Sequence, residues 1–116
     1  MIKTYGPEKD HGCSEGFKRI MIEAVDEGLN FLGEIVKTTL LLLIKERFHI
    51  EKHEIPDKPN EFALALKSIL GDDGGKFIGD LIVRCLYSKL GLGIPEGNRE
   101  FYEYIYEARR KITLTK

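Results

Sequence analysis

The sequence predicts an all-α fold, a compact bundle of about five helices. Apolar residues recur at steps of three and four along several separate stretches, the spacing of a helix with one buried face. Glycine and proline punctuate the chain between those stretches. No segment alternates apolar and polar residues long enough for a confident strand.

Residues 1–14 mix Pro, Gly, Lys, Asp and His without periodicity, and are expected to form a flexible leader to a single helical domain, 15–116. Ser14 is suited to cap the first helix, about 15–31. There Phe17, Ile20, Met21, Ala24, Val25 and Leu29 form one face, with Lys18, Arg19, Glu23, Asp26 and Glu27 opposite. Gly28 and Gly33 either break this helix from the next or let another helix approach closely.

The central helix runs to about Phe48. Its middle, Leu40 to Ile44, is apolar at five successive positions. Five successive helical residues point in all directions, so this is no one-sided surface helix. It is expected to be wrapped on several sides by its own chain, or on some sides by another copy. A bilayer span needs about 20 apolar residues, and Lys37 and Lys45 bracket the run.

A polar connector, 49–54, leads to Ile55-Pro56-Asp57-Lys58-Pro59. The residue before a proline avoids helix, whereas Pro59 suits a first helical turn. Asp57 is the expected cap of a helix over about 58–70, with Phe62, Leu66, Ile69 and Leu70 inward. Gly71 ends it. Asp72 to Gly75 reads as a turn. A fourth helix, about 74–90, carries Phe77, Ile78, Leu81, Ile82, Cys85 and Leu86 on one stripe, and Gly91 stops it. The fifth, about 98–112, turns Phe101, Tyr104, Ile105, Ala108 and Ile112 inward. Its acids come early and its bases late, which favours the helix dipole. The tail from Ile112 to Thr115 has a weak capacity to pair with residues 2–5 as a short edge.

Ile55-Pro56-Asp57-x-x-x-Glu61-Phe62 is echoed by Ile94-Pro95-Glu96-x-x-x-Glu100-Phe101. Two helix-hairpin units under a covering N-terminal helix would produce this. So would two helix starts that use the same chemistry.

Net charge is -1, from 18 basic and 19 acidic residues. That balance argues against general nucleic-acid binding, which rests on a positive excess. The two cysteines, Cys13 and Cys85, sit in unlike surroundings. With no secretion signal in evidence, reduced thiols and a cytoplasmic location are expected.

Chemistry-bearing patterns are weak. His49 and His53 would share a helical face, yet lack the His-Glu-x-x-His arrangement of zinc proteases. His11 with Cys13 is a second soft pair. Gly71-Asp72-Asp73-Gly74-Gly75-Lys76 is one residue short of a phosphate loop, and Phe77 stands where Ser or Thr would hold magnesium. No nucleophile has a base beside it in sequence, and the carboxylates are scattered on polar faces. Cys85 on a core stripe reads as packing. Thus no enzyme activity, cofactor, metal or small-molecule substrate is expected. Tyr102 and Tyr106 lie off the inward stripe with Arg109 nearby, and Tyr and Arg are enriched at binding hot spots.

The run Ile55-Pro56-Asp57-Lys58-Pro59-x-Glu61-Phe62-x-x-x-Leu66-x-x-Ile69-x-Gly71, then Gly75, Ile82 and Leu86, resembles the Nitrosopumilus-type output-domain family of archaeal signalling proteins. Leu32-Gly33-Glu34-x-Val36-Lys37 is also similar to that family. The likeness spans about 20–92 and implies a small all-helical signal-output domain with no catalytic residues. The fifth, Tyr-rich helix is an addition to that pattern.

The functional expectation is a non-enzymatic regulatory or adaptor domain that binds a protein partner or itself, as a homodimer. Its expected interface is Leu41, Leu42, Tyr102, Tyr106 and Arg109. The alternative is a helix-turn-helix-like DNA-binding regulator, against which Glu100, Glu103 and Glu107 stand.

Overall fold

A computed structural model describes residues 15–114, with backbone alone at 113 and 114. The expected leader, Ser14 as a cap, and the His11/Cys13 pair lie outside the described residues.

The fold is the expected all-α bundle. Helix α1 is Glu15–Asn30 and α2 is Glu34–Phe48. A 3-10 segment, Lys52–Asp57, follows. The segment Pro59–Leu90 is broken at Gly71, whose φ of +86° and ψ of 163° are not helical. It therefore makes two helices, α3 (59–70) and α4 (72–90). Helix α5 is Phe101–Leu114.

Helix α1 lies across the α3–α4 arm, which α5 also covers. The core between them includes Met21, Leu29, Phe62, Leu66, Ile82 and Ile105, all essentially without solvent contact. Gly28 and Gly33 resolve into the two roles open to them. Gly33 is the break, with φ +91°. Gly28 is helical, and a Cβ there would lie 2.5 Å from Ile82 Cγ1 and 3.2 Å from the Ile82 Cα. Only glycine lets α1 and α4 come so close. Gly75 does the same at the α3–α4 corner, where a Cβ would stand 2.7 Å from the Lys67 Cα.

Helix ends follow local chemistry. Pro59 opens α3. Gly91 closes α4 in the left-handed region, its N–H donating to Ser88 O while Leu92 N–H donates to Tyr87 O at 2.9 Å. The second bond is the longer loop of a Schellman end. At α5, the Glu103 carboxylate accepts from the Glu100 N–H at 2.9 Å, half of a capping box.

Several expectations need correction. Asp57 does not cap α3; Lys58 occupies that position, and Asp57 pairs with Lys18 at 3.4 Å. Asp72 to Gly75 is not a turn, because the reversal is completed at Gly71 and those residues form the first turn of α4. Phe77 leaves the α4 core stripe and is 49% exposed. Residues 112–114 continue α5 instead of forming an edge strand. The two echoed motifs are not structural equivalents. Ile55 and Pro56 are buried in the 3-10 segment, whereas Ile94 is 83% exposed. Their aromatic ends do meet, the Phe62 and Phe101 rings lying 5.9 Å apart.

The apolar run of α2 is a helix, but it is not wrapped. Leu40 and Ile44 are buried, Leu41 and Leu43 are half-buried, and Leu42 is 53% exposed. A run of apolar residues specifies no covered side; only the packing of α2 against α1 and the α3–α4 arm does.

Candidate interaction surface

Helix α2 is positioned by ion pairs that tie it and the connector to α1, and by an aromatic contact at the turn before it. Asp26 of α1 receives Lys37 of α2 at 3.4 Å and Lys52 of the 3-10 segment at 2.7 Å. Lys37 also donates to the Asn30 side-chain oxygen at 3.0 Å. Asp26 thus joins α1, α2 and the connector at one carboxylate. The α1–α2 turn is pinned by Phe31 edge-on to Phe77, with centroids 5.3 Å apart. The far end of α2 stops at His49, a left-handed residue with φ 58°, whose N–H donates to Lys45 O at 3.0 Å.

This seating buries Leu40 and Ile44 and turns the opposite side outward. At about 3.6 residues per turn, Ile35, Thr39 and Leu42 share one side, with Val36 and Leu43 along its edge. Ile35 is 81% exposed, Leu42 53% and Val36 47%. Phe31, just before the helix, is 66% exposed. A row of this kind on one helix is a marked apolar exposure, unlike scattered single residues.

The sequence-expected residues therefore divide. Leu42 belongs to the exposed row, whereas Leu41 packs against the core. Ile35, Val36 and Phe31 were missed. The signal was the seven-residue separation of Ile35 and Leu42 on the side away from Leu40 and Ile44.

Tyr102, Tyr106 and Arg109 are brought together on α5. The two rings are edge-to-face at 5.9 Å, and the Arg109 guanidinium lies 5.0 Å above the Tyr106 ring. Half of Tyr106 is exposed. This surface lies on a different helix from the α2 row, and α2 and α5 are not packed substantially against each other. Below it, Tyr87 donates to the Tyr104 carbonyl at 3.0 Å, and the Tyr104 hydroxyl donates to Gly97 O at 2.6 Å and accepts from Arg99 N–H at 3.3 Å. Burial pushes the Tyr87 phenol above its ordinary pKa, and Glu107 adds to that.

The basic end of α5 is locally neutralised. Glu107 accepts from Arg110 at 2.7 Å and pairs with Lys111 at 3.9 Å and Arg99 at 3.8 Å. The Arg110 hydrogen bond, followed by the nearby cations, holds the Glu107 carboxyl below its usual value. Cations held by a carboxylate make weak phosphate ligands.

A cleft of about 240 Å³ lies where Lys67, Lys76 and Arg99 approach the α3–α4 corner. Lys67 has Glu100 at 4.0 Å and Lys76 has Asp80 at 3.4 Å, whereas Arg99 shares Glu107, at 3.8 Å, with Arg110 and Lys111. Two of the three cations are thus offset by carboxylates that line the cleft.

His49 caps α2 and His53 lies in the 3-10 segment, so they do not share a helical face. Among the described residues no group of three or more His, Cys, Asp or Glu is placed to hold a metal ion. Cys85 is a half-buried free thiol, and burial raises its pKa, which disfavours the reactive thiolate. No described helix is long and apolar enough to cross a membrane.

No family model, curated protein or solved structure matches the chain. The likeness to the archaeal output domains rests on the quoted residues alone.

Proposed function

We propose that this chain is a non-enzymatic protein-interaction domain, a signal-output or adaptor module of the cytoplasm, that associates with a second copy through α2. The observation that carries this is the uncovered row Ile35, Val36 and Leu42 on a helix whose other side carries the buried Leu40 and Ile44. Leaving a row of apolar side chains in water forfeits roughly 25 cal/mol per Å² that association would recover. The Tyr102, Tyr106 and Arg109 surface is a second, more polar contact area, of the composition favoured where partners exchange. The family likeness points the same way, since it implies signal output without catalysis.

Sedimentation velocity over a wide concentration range tests the reading. The expected result is a mass that rises with concentration, with Leu42→Glu shifting the chain to monomer and leaving its helical circular dichroism unchanged. A wild-type chain that stays monomeric at every concentration would overturn it.

A further inference from the structure

The proposed association leaves open how the copies meet, and the charge pattern around the α2 row is informative. Glu34 and Lys45 lie on the same flank of the row, and Val36 and Leu43 on the other. Ile35 and Leu42 lie on its crest with Thr39 between them. Glu34, Thr39 and Lys45 are all exposed.

We propose that two copies pair their α2 helices antiparallel, about a two-fold axis near Thr39. This rests on the self-association reading above. In antiparallel helices like flank faces like flank. Residues equally far before and after the axis then become neighbours. Glu34 meets Lys45 of the second copy and Val36 meets Leu43, both pairs centred just beyond Thr39, while Ile35 and Leu42, centred just before it, interleave along the crest. Glu34 therefore faces a base and these apolar residues face apolar ones, while the exposed Glu46 at the end of the crest falls opposite residues 31–33 of the second copy. Parallel pairing would bring opposite flanks together, setting Glu34 beside Val36 and Lys45 beside Leu43, with no Glu–Lys contact and both charges against apolar neighbours. Thr39 at the axis is small enough for close approach.

A two-fold contact of this kind is isologous and closes at two subunits. The Lys45 partner within the chain, Glu51, stands 3.9 Å away with both side chains about half exposed. Lys45 is thus free to turn toward a second copy at small cost.

Charge exchange tests the orientation. Glu34→Lys and Lys45→Glu are made separately, and dimerisation is measured by sedimentation equilibrium for each variant and for their equimolar mixture. In the antiparallel pair each variant alone sets like charges together and weakens its dimer several-fold. The mixture restores association, because a heterodimer has two favourable Glu–Lys contacts. Weakened single variants with no recovery on mixing would overturn the antiparallel arrangement. A wild-type dimer unaffected by Leu42→Glu would remove α2 from the interface while leaving self-association intact. A wild-type monomer throughout would remove both readings.

Discussion

Gly28 of α1 lies directly against Ile82 of α4, with only 2.5 Å between a Cβ built on the glycine and Ile82 Cγ1. Ile82 has no solvent exposure, so its side chain has nowhere to retreat. Replacing a glycine in a helix interior by alanine ordinarily gains about 1 kcal/mol of helix propensity, and less in a last turn such as the one that holds Gly28. Overpacking a filled core costs about 1–3 kcal/mol, and here the second effect wins. Gly28→Ala is expected to lower the urea midpoint and Gly28→Val to lower it further. Ile82→Ala removes the obstructing atom, so the double variant should lose less than the sum of the two single ones.

The Tyr104 hydroxyl ties the 91–100 connection to α5 through Gly97 O and Arg99 N–H. Tyr104→Phe leaves both groups without that partner and should cost about 1 kcal/mol. The loss is local, so the Arg99 amide should exchange with deuterium faster than amides in the middle of α4. Equal acceleration across both regions would mean that the hydroxyl stabilises the whole fold instead.

His49 ends α2 in the left-handed region, at φ 58°. A residue with a Cβ is strained there by roughly 1–2 kcal/mol relative to the right-handed region. Its imidazole is exposed, and no contact is lost on its removal that would offset relief of the strain. His49→Gly is expected to raise the thermal midpoint slightly, by up to about 1 kcal/mol of stability after the added freedom of the unfolded chain is included. A lowered midpoint would show that the imidazole stabilises the fold by a route the geometry does not reveal.

Glu107 gathers Arg110, Lys111 and Arg99, and its carboxyl is held below the ordinary value, first by the Arg110 hydrogen bond. A folded-state pKa below the unfolded one stabilises the fold above the unfolded value, about 4.3. That contribution disappears as pH falls through the lower folded value. Carbon-detected NMR titration should find the Glu107 midpoint depressed, and Arg110→Ala should move it upward. An unchanged midpoint would assign the depression to Lys111 and Arg99.

Much of the architecture was legible because its junctions are chemically marked. Pro59 and Gly91 stand where helices begin or end, and Gly71 marks the break between α3 and α4. The inward residues of α5 were readable from their spacing alone, as Tyr104, Ile105 and Ala108 are buried. Asp57 misled because an acid before a proline resembles a cap, yet its carboxylate is drawn to Lys18. Phe77 misled because it fits the α4 period, but the Phe31 ring from the α1–α2 turn draws it to the surface. Least legible was the covered side of α2. Five apolar residues in succession offer every side equally, and the choice is made by long-range contacts such as those of Asp26 with Lys37 and Lys52.

The most direct measurement follows the methyl signals of Ile35, Leu42 and Ile44 by NMR as the protein is diluted. Pairing through the outward row predicts that Ile35 and Leu42 shift together with concentration while Ile44, on the seated side, stays fixed. Ile35 and Leu42 signals that hold their positions from dilute to concentrated solution would contradict it.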